Sequence, residues 1–78
     1  MKRDYYRENP DSPGRRDRFH MGTRRLSNGW TRVTMWESRG TNTGGPLKKT
    51  TADFESGIEA MRLVFEIGDE LREEGWAL

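Results

Sequence analysis

The sequence predicts an α+β fold, a small antiparallel β-sheet of about 3–4 strands packed against one C-terminal helix. Three observations lead there. Residues 30–36 have the period of two of a half-buried strand, Asn28-Gly29 stands between two strand-like runs as a hairpin turn, and apolar residues from 58 to 71 recur at helical spacing. The 78 residues make one domain, and at such a length only about 60% of the unfolded surface is buried on folding. A thin core is expected.

Residues 1–18 read as an N-terminal edge strand and a loop. Asp4-Tyr5-Tyr6-Arg7 supplies the short strand, and Asn9-Pro10-Asp11-Ser12-Pro13-Gly14, dense in turn formers, supplies the loop. Residues 19–54 read as a β-meander. Its first strand, Phe19 to Leu26, ends at Ser27-Asn28-Gly29, where Asn-Gly calls for a type I′ turn. In the next, Trp30 to Trp36, Val33 and Met35 face the core while Trp30, Arg32, Thr34 and Trp36 take the other side. A glycine-rich connection over 39–46 leads to a last strand from Leu47 to Phe54. The helix is expected over 56–75. Ser56 and Glu59 fit a capping box, and Ile58, Met61, Val64, Phe65 and Leu71 form the stripe that lies across the sheet, with Ala60 and Ile67 at its margins. Gly75 ends the helix, and Gly68, which weakens it by about 1 kcal/mol relative to alanine, marks a close approach to the sheet.

Hydrophobic residues make up 31% of the chain and charged residues 35%, a balance at which disorder competes, but the periodicity and 10% aromatic content favour a folded chain. Without cysteine there is neither a disulfide framework nor a thiolate metal site. No apolar run follows the charged start, and none approaches the roughly 18 residues of a membrane span. A soluble, untargeted, cytoplasmic protein with no membrane partner is expected. The net charge of +1 conceals a division: residues 1–50 hold 12 Lys/Arg against 5 Asp/Glu, whereas residues 51–78 hold 2 against 8. Such a division suits a surface that meets phosphate opposite one that does not, or two halves that neutralise each other by contact or in an oligomer.

Catalysis has little to stand on. His20 is the only histidine, cysteine is absent, and 6 of the 13 carboxylates fall in the helix, where a solvated outer side explains them. No enzyme, cofactor or metal is expected. The glycine-rich loop lacks the Gly-Lys-Ser/Thr ending and the strand-to-helix setting of a phosphate-binding loop. More telling is the interleaving of cations with aromatic rings in the strand half, since cations neutralise phosphates and indole faces stack on bases. The candidate nucleic-acid-binding residues are Trp36, Arg39, Arg32, Lys48, Lys49, Arg24, Arg25 and Trp30. Their plainer roles are core burial for the tryptophans and solubilising charge for the rest.

The pattern resembles the WGR domain family, named for a Trp-Gly-Arg motif at the end of a strand. Asp4-Tyr5-Tyr6-Arg7-Glu8 and Arg18-Phe19-His20-Met21 look like its opening strands, Val33 to Thr41 like its signature strand and turn with Gly44-Gly45 following, Lys49 to Phe54 with Ser56 and Glu59-Ala60 like its last strand and helix start, and Glu74-Gly75-Trp76 like its ending. In place of Trp-Gly-Arg stands Trp36-Glu37-Ser38-Arg39, one residue longer and without the glycine. The resemblance implies a sheet on a helix, with nucleic-acid contact through Trp36 and Arg39. The expected function is therefore a small module that binds DNA or RNA through phosphates and sugars without strong sequence specificity. The alternative is a protein-interaction adaptor or small inhibitor, of a kind mobile elements encode, acting through the acidic helix or the aromatic strand. An accessory subunit of a larger enzyme is a third reading. A thin core and an exposed edge strand favour a dimer without requiring one.

Overall fold

The computed structural model describes residues 1–40 and 48–78. Its elements are β1 (Lys2–Glu8), β2 (Arg16–Arg25), β3 (Thr31–Ser38), β4 (Thr50–Phe54) and the helix α1 (Gly57–Glu73). The strands form one antiparallel sheet in chain order, and α1 packs on one side of it against β3 and β4. The architecture is the predicted α+β sheet and helix. The glycine-rich connection over 41–46, and Leu47, lie outside the described residues.

Both opening strands are longer than the sequence suggested. β1 pairs with β2 from Lys2↔Gly22 to Glu8↔Arg16, so Arg16, Asp17 and Arg18 are strand rather than loop. Asp17 explains how a charged run enters the sheet. Its carboxylate, 1% exposed, accepts from Arg7 Nε (3.2 Å), Asn9 Nδ2 (2.8 Å) and the Gly40 N–H (2.9 Å). A buried carboxylate with three donors is tolerated where an unpartnered one would not be. Gly40 is required here for space: a Cβ on it would lie 2.9 Å from Arg15 Cβ and 3.1 Å from the Arg16 carbonyl oxygen.

The β2–β3 turn differs from the expected type I′. Gly29 has φ +88°, but among the described residues none other than glycine has positive φ, so Asn28 does not take the left-handed conformation that a type I′ turn demands. Gly29 N–H donates to the Leu26 carbonyl (3.0 Å) and Leu26 N–H to that of Trp30 (2.7 Å), the pattern of a three-residue loop with a glycine bulge. Ser27-Asn28-Gly29 is thus the whole loop, and the Asn28 side chain accepts from the Trp30 N–H (3.0 Å). β3 keeps the predicted facing: Val33 is fully buried and Met35 packs against the core.

In α1 the Ser56 hydroxyl accepts from the Ile58 N–H (3.1 Å) rather than from that of Glu59, so the cap forms without the full capping box. The buried face is Ala60, Val64, Gly68 and Leu71, while Ile58 is 74% and Phe65 49% exposed. The expected stripe was therefore rotated too far toward its bulky members. Small residues face the sheet because the helix lies close to it: a Cβ on Gly68 would stand 2.6 Å from the Tyr5 hydroxyl oxygen. At the other end Gly75, φ +93°, donates to the Arg72 carbonyl (3.0 Å) and Trp76 to that of Leu71 (2.9 Å). This Schellman pattern brings Trp76 against Leu71, and both are buried. Arg7 lies 4.5 Å from the centre of the Trp76 ring, and Phe19 meets that ring edge-on at 6.1 Å. Ala77 then exchanges two backbone hydrogen bonds with Tyr6 (2.7 and 2.9 Å), tying the tail to the outer edge of β1. The core is Tyr5, Met21, Val33, Ala60, Val64, Leu71 and Trp76. Among the described residues no helix is long and apolar enough to cross a membrane.

Candidate nucleic-acid interface

Because strand side chains alternate, burying Tyr5, Met21 and Val33 under α1 sends their neighbours to the opposite, uncovered face. The registers assemble these neighbours into rows that cross the sheet. Tyr6, Arg18 and Ser38 form one row; Asp4, His20 and Trp36 the next; Lys2, Gly22, Thr34 and Thr51 a third; Arg24, Arg32 and Asp53 a fourth. Lys49, just before β4, follows the alternation of Thr51 and Asp53.

The Trp36 row is internally braced. His20 stacks on Trp36 with ring centres 5.0 Å apart at 20°, and the Arg18 guanidinium sits 5.0 Å from the centre of the indole. Asp4 holds both partners: Arg18 reaches its Oδ1 at 2.8–2.9 Å and His20 Nδ1 lies 2.8 Å from the same oxygen. Partial burial opposes ionisation of Asp4, but the His20 and Arg18 bonds and their charges outweigh it, leaving its pKa below the usual value. An ionised carboxylate only accepts, so Nδ1 carries the proton in this pair. Arg16 lies over Tyr6 at 5.1 Å, so cation and ring also alternate at this end of the face.

Beyond the Trp36 row the surface drops. Gly22, Thr34 and Thr51, all small, floor a trough of about 280 Å³ whose lining also includes Lys2, Arg24, Arg32 and Lys49. Arg32 is held in place by two bonds to Asp53 (2.8 and 3.0 Å), which keep the Asp53 carboxyl below its usual pKa and offset part of the guanidinium charge.

Of the eight residues singled out in the sequence, Arg24, Arg32 and Lys49 meet at this trough, and Trp36 occupies the adjoining row. Lys48 is exposed on the β4 side of Trp36, in a second hollow with Phe19, Met35, Glu37 and Thr50. The structure does not gather the other candidates there. Arg25, the last residue of β2, is one residue out of step with Arg24 and lines a hollow at the hairpin turn; Trp30, 38% exposed, lies just before β3. Arg39 is exposed beyond the end of β3. Sequence reasoning missed Lys2, Tyr6, Arg16, Arg18 and His20 as members of the face. Their signal was the even-numbered alternation in β1 and β2, unreadable until the register joined those strands to β3. Among the described residues no group of His, Cys, Asp or Glu is arranged to hold a metal ion. Comparison with known proteins finds no family, no curated protein and no solved structure that matches the chain.

Proposed function

We propose that the protein binds nucleic acid through the uncovered face of its sheet, with Trp36 in the role that the likeness to the WGR family implies for it. One observation carries this reading: Trp36, His20 and Tyr6 share that face with Lys2, Arg16, Arg18, Arg24 and Lys49, on the side of the sheet away from α1. Two of the carboxylates on the face, Asp4 and Asp53, are engaged by arginines. A base stacks on an indole that His20 and Arg18 already hold in place, so little side-chain freedom is lost on binding. The surrounding cations neutralise phosphates and confer no sequence preference.

Fluorescence anisotropy with labelled single- and double-stranded oligonucleotides over a salt series tests the proposal. Binding is expected to weaken steeply with salt, and Trp36→Ala to weaken it by about 1–3 kcal/mol, roughly 5- to 150-fold. Arg39→Ala is expected to cost less than Trp36→Ala, because Arg39 lies past the strand end. No binding at low salt by a folded sample would end the nucleic-acid reading.

The second reading, a protein adaptor, is favoured by a different feature. Ile58, Met61 and Phe65 form an apolar stripe on α1 beside Arg62, Glu66 and Asp69. The double variant Ile58→Ser/Phe65→Ser is expected to leave oligonucleotide affinity unchanged. If that variant lost biological effect while still binding oligonucleotide, the assignment would move to a protein partner on the helix side.

A further inference from the structure

We infer that the trough floored by Gly22, Thr34 and Thr51 is a seat for a phosphate group, one residue pair along β3 from the ring that takes the base; this rests on the nucleic-acid reading. Three features of the trough point to it. The first is shape. A row of small residues runs between a taller row, His20 and Trp36, and another, Arg24 and Arg32, so the hollow is built by side-chain size rather than by a loop. Gly22 contributes by what it lacks, since a Cβ there would lie 3.3 Å from His20 Nε2, crowding the ring that braces Trp36.

The second is charge. Four cationic side chains, Lys2, Arg24, Arg32 and Lys49, come from four different strands or their ends and line one hollow, Arg32 with part of its charge offset by Asp53, and among the described residues the lining itself includes no carboxylate. Cations on separate strands gathered about a hollow of 280 Å³ repel one another and gain from an anion among them. Thr34 and Thr51 add hydroxyls able to donate to phosphate oxygens. The third is spacing. Trp36 and Thr34 are successive same-face residues, about 6.8 Å apart along the strand, comparable with the reach from a base to its own phosphate. Asp53 tunes the site from the next row, holding the Arg32 guanidinium by both oxygens and drawing on its charge.

The seat takes a phosphodiester of a strand or a free phosphate, and the experiment separates the two sources. Isotope-labelled protein is titrated with sodium phosphate against matched sodium chloride, and separately with an oligothymidylate of about eight nucleotides, following backbone amide shifts. The Gly22, Thr34 and Thr51 amides are expected to shift saturably with both ligands, and the oligonucleotide alone to move the Trp36 indole. Arg24→Ser and Lys49→Ser should each weaken oligonucleotide binding and lower the salt slope by about 0.7. Asp53→Asn should act oppositely, tightening phosphate and oligonucleotide binding by roughly threefold, a gain that damage to the fold does not produce. Phosphate shifts in the trough without oligonucleotide binding would keep the seat for a free phosphate and remove the nucleic-acid reading. Oligonucleotide binding that depends on Trp36 but is indifferent to Arg24→Ser, Lys49→Ser and Asp53→Asn would overturn the seat and leave that reading standing.

Discussion

Asp17→Ala is expected to destabilise the protein by about 3 kcal/mol, measured as a lower urea midpoint with unchanged slope. The cost comes from what the carboxylate leaves behind. Arg7 is partly exposed and turns to water, but Asn9, 4% exposed, loses the acceptor for its amide, and the Gly40 N–H loses its own. A domain of this size has about 4–12 kcal/mol in total, so the loss is large and corresponds to roughly 12–24 °C in melting temperature. It also disconnects three segments, because Asp17 is where β1, the loop after it and the residue following Arg39 are held together. The pH dependence provides a second readout. Burial raises the Asp17 pKa, but the Gly40, Asn9 and Arg7 bonds together outweigh it and leave it below its usual value. A carboxylate with a depressed native pKa stabilises the fold fully above its unfolded pKa, about 3.9, and that stability is lost as pH falls through the native value. The wild type should therefore lose stability as pH falls below about 4, and Asp17→Ala should lose less over the same interval. An equally steep acid limb in the variant would show that the bonds to Asp17 do not depend on its charge.

Gly68→Ala is expected to destabilise the protein although alanine is the better helix former by about 1 kcal/mol. The new methyl group meets the Tyr5 hydroxyl oxygen at 2.6 Å, and the ring behind it is wholly buried and cannot swing aside. Overpacking of this kind costs about 1–3 kcal/mol. Tyr5→Phe removes the offending atom, whose described hydrogen bond, from Arg3 Nη1, is long at 3.4 Å, and leaves the next ring carbon at an ordinary 3.5 Å. The pair Tyr5→Phe/Gly68→Ala should accordingly be at least as stable as Tyr5→Phe alone, with a favourable coupling of about 2 kcal/mol in a double-mutant cycle. Additive effects would mean that α1 and β1 do not touch at this point.

Much of the fold was legible because it rests on local rules. Alternation in 30–36 placed Val33 and Met35 inward, Ser56 and Gly75 marked the helix ends, and Gly68 foretold a close approach. The misses share a physical cause. Hydrophobicity ranked Ile58 and Phe65 above Ala60, but a helix lying close to a sheet selects small residues for the contact and leaves bulk at its flank. Asn-Gly suggested one turn, whereas the three-residue loop with its glycine bulge needs the left-handed conformation only at Gly29. Charges at Arg16 to Arg18 looked like loop because the partners that make Asp17 acceptable in a strand, Asn9 and Gly40, are distant in sequence.

The candidate site divides in the same way. By itself the sequence determined that the chain is a small α+β domain, that cations outnumber carboxylates over residues 1–50 and carboxylates outnumber cations over 51–78, and that Trp36 and Arg32 share a face. Only the tertiary structure decided which cations stand together. Register brought Lys2, Arg24, Arg32 and Lys49 around one trough, slid His20 under Trp36, and left Arg25, Trp30 and Arg39 at the margins. Period two assigns a residue to a face from its neighbours alone, whereas its place on that face depends on hydrogen bonds to other strands, and a shift of one residue would exchange the two sides entirely.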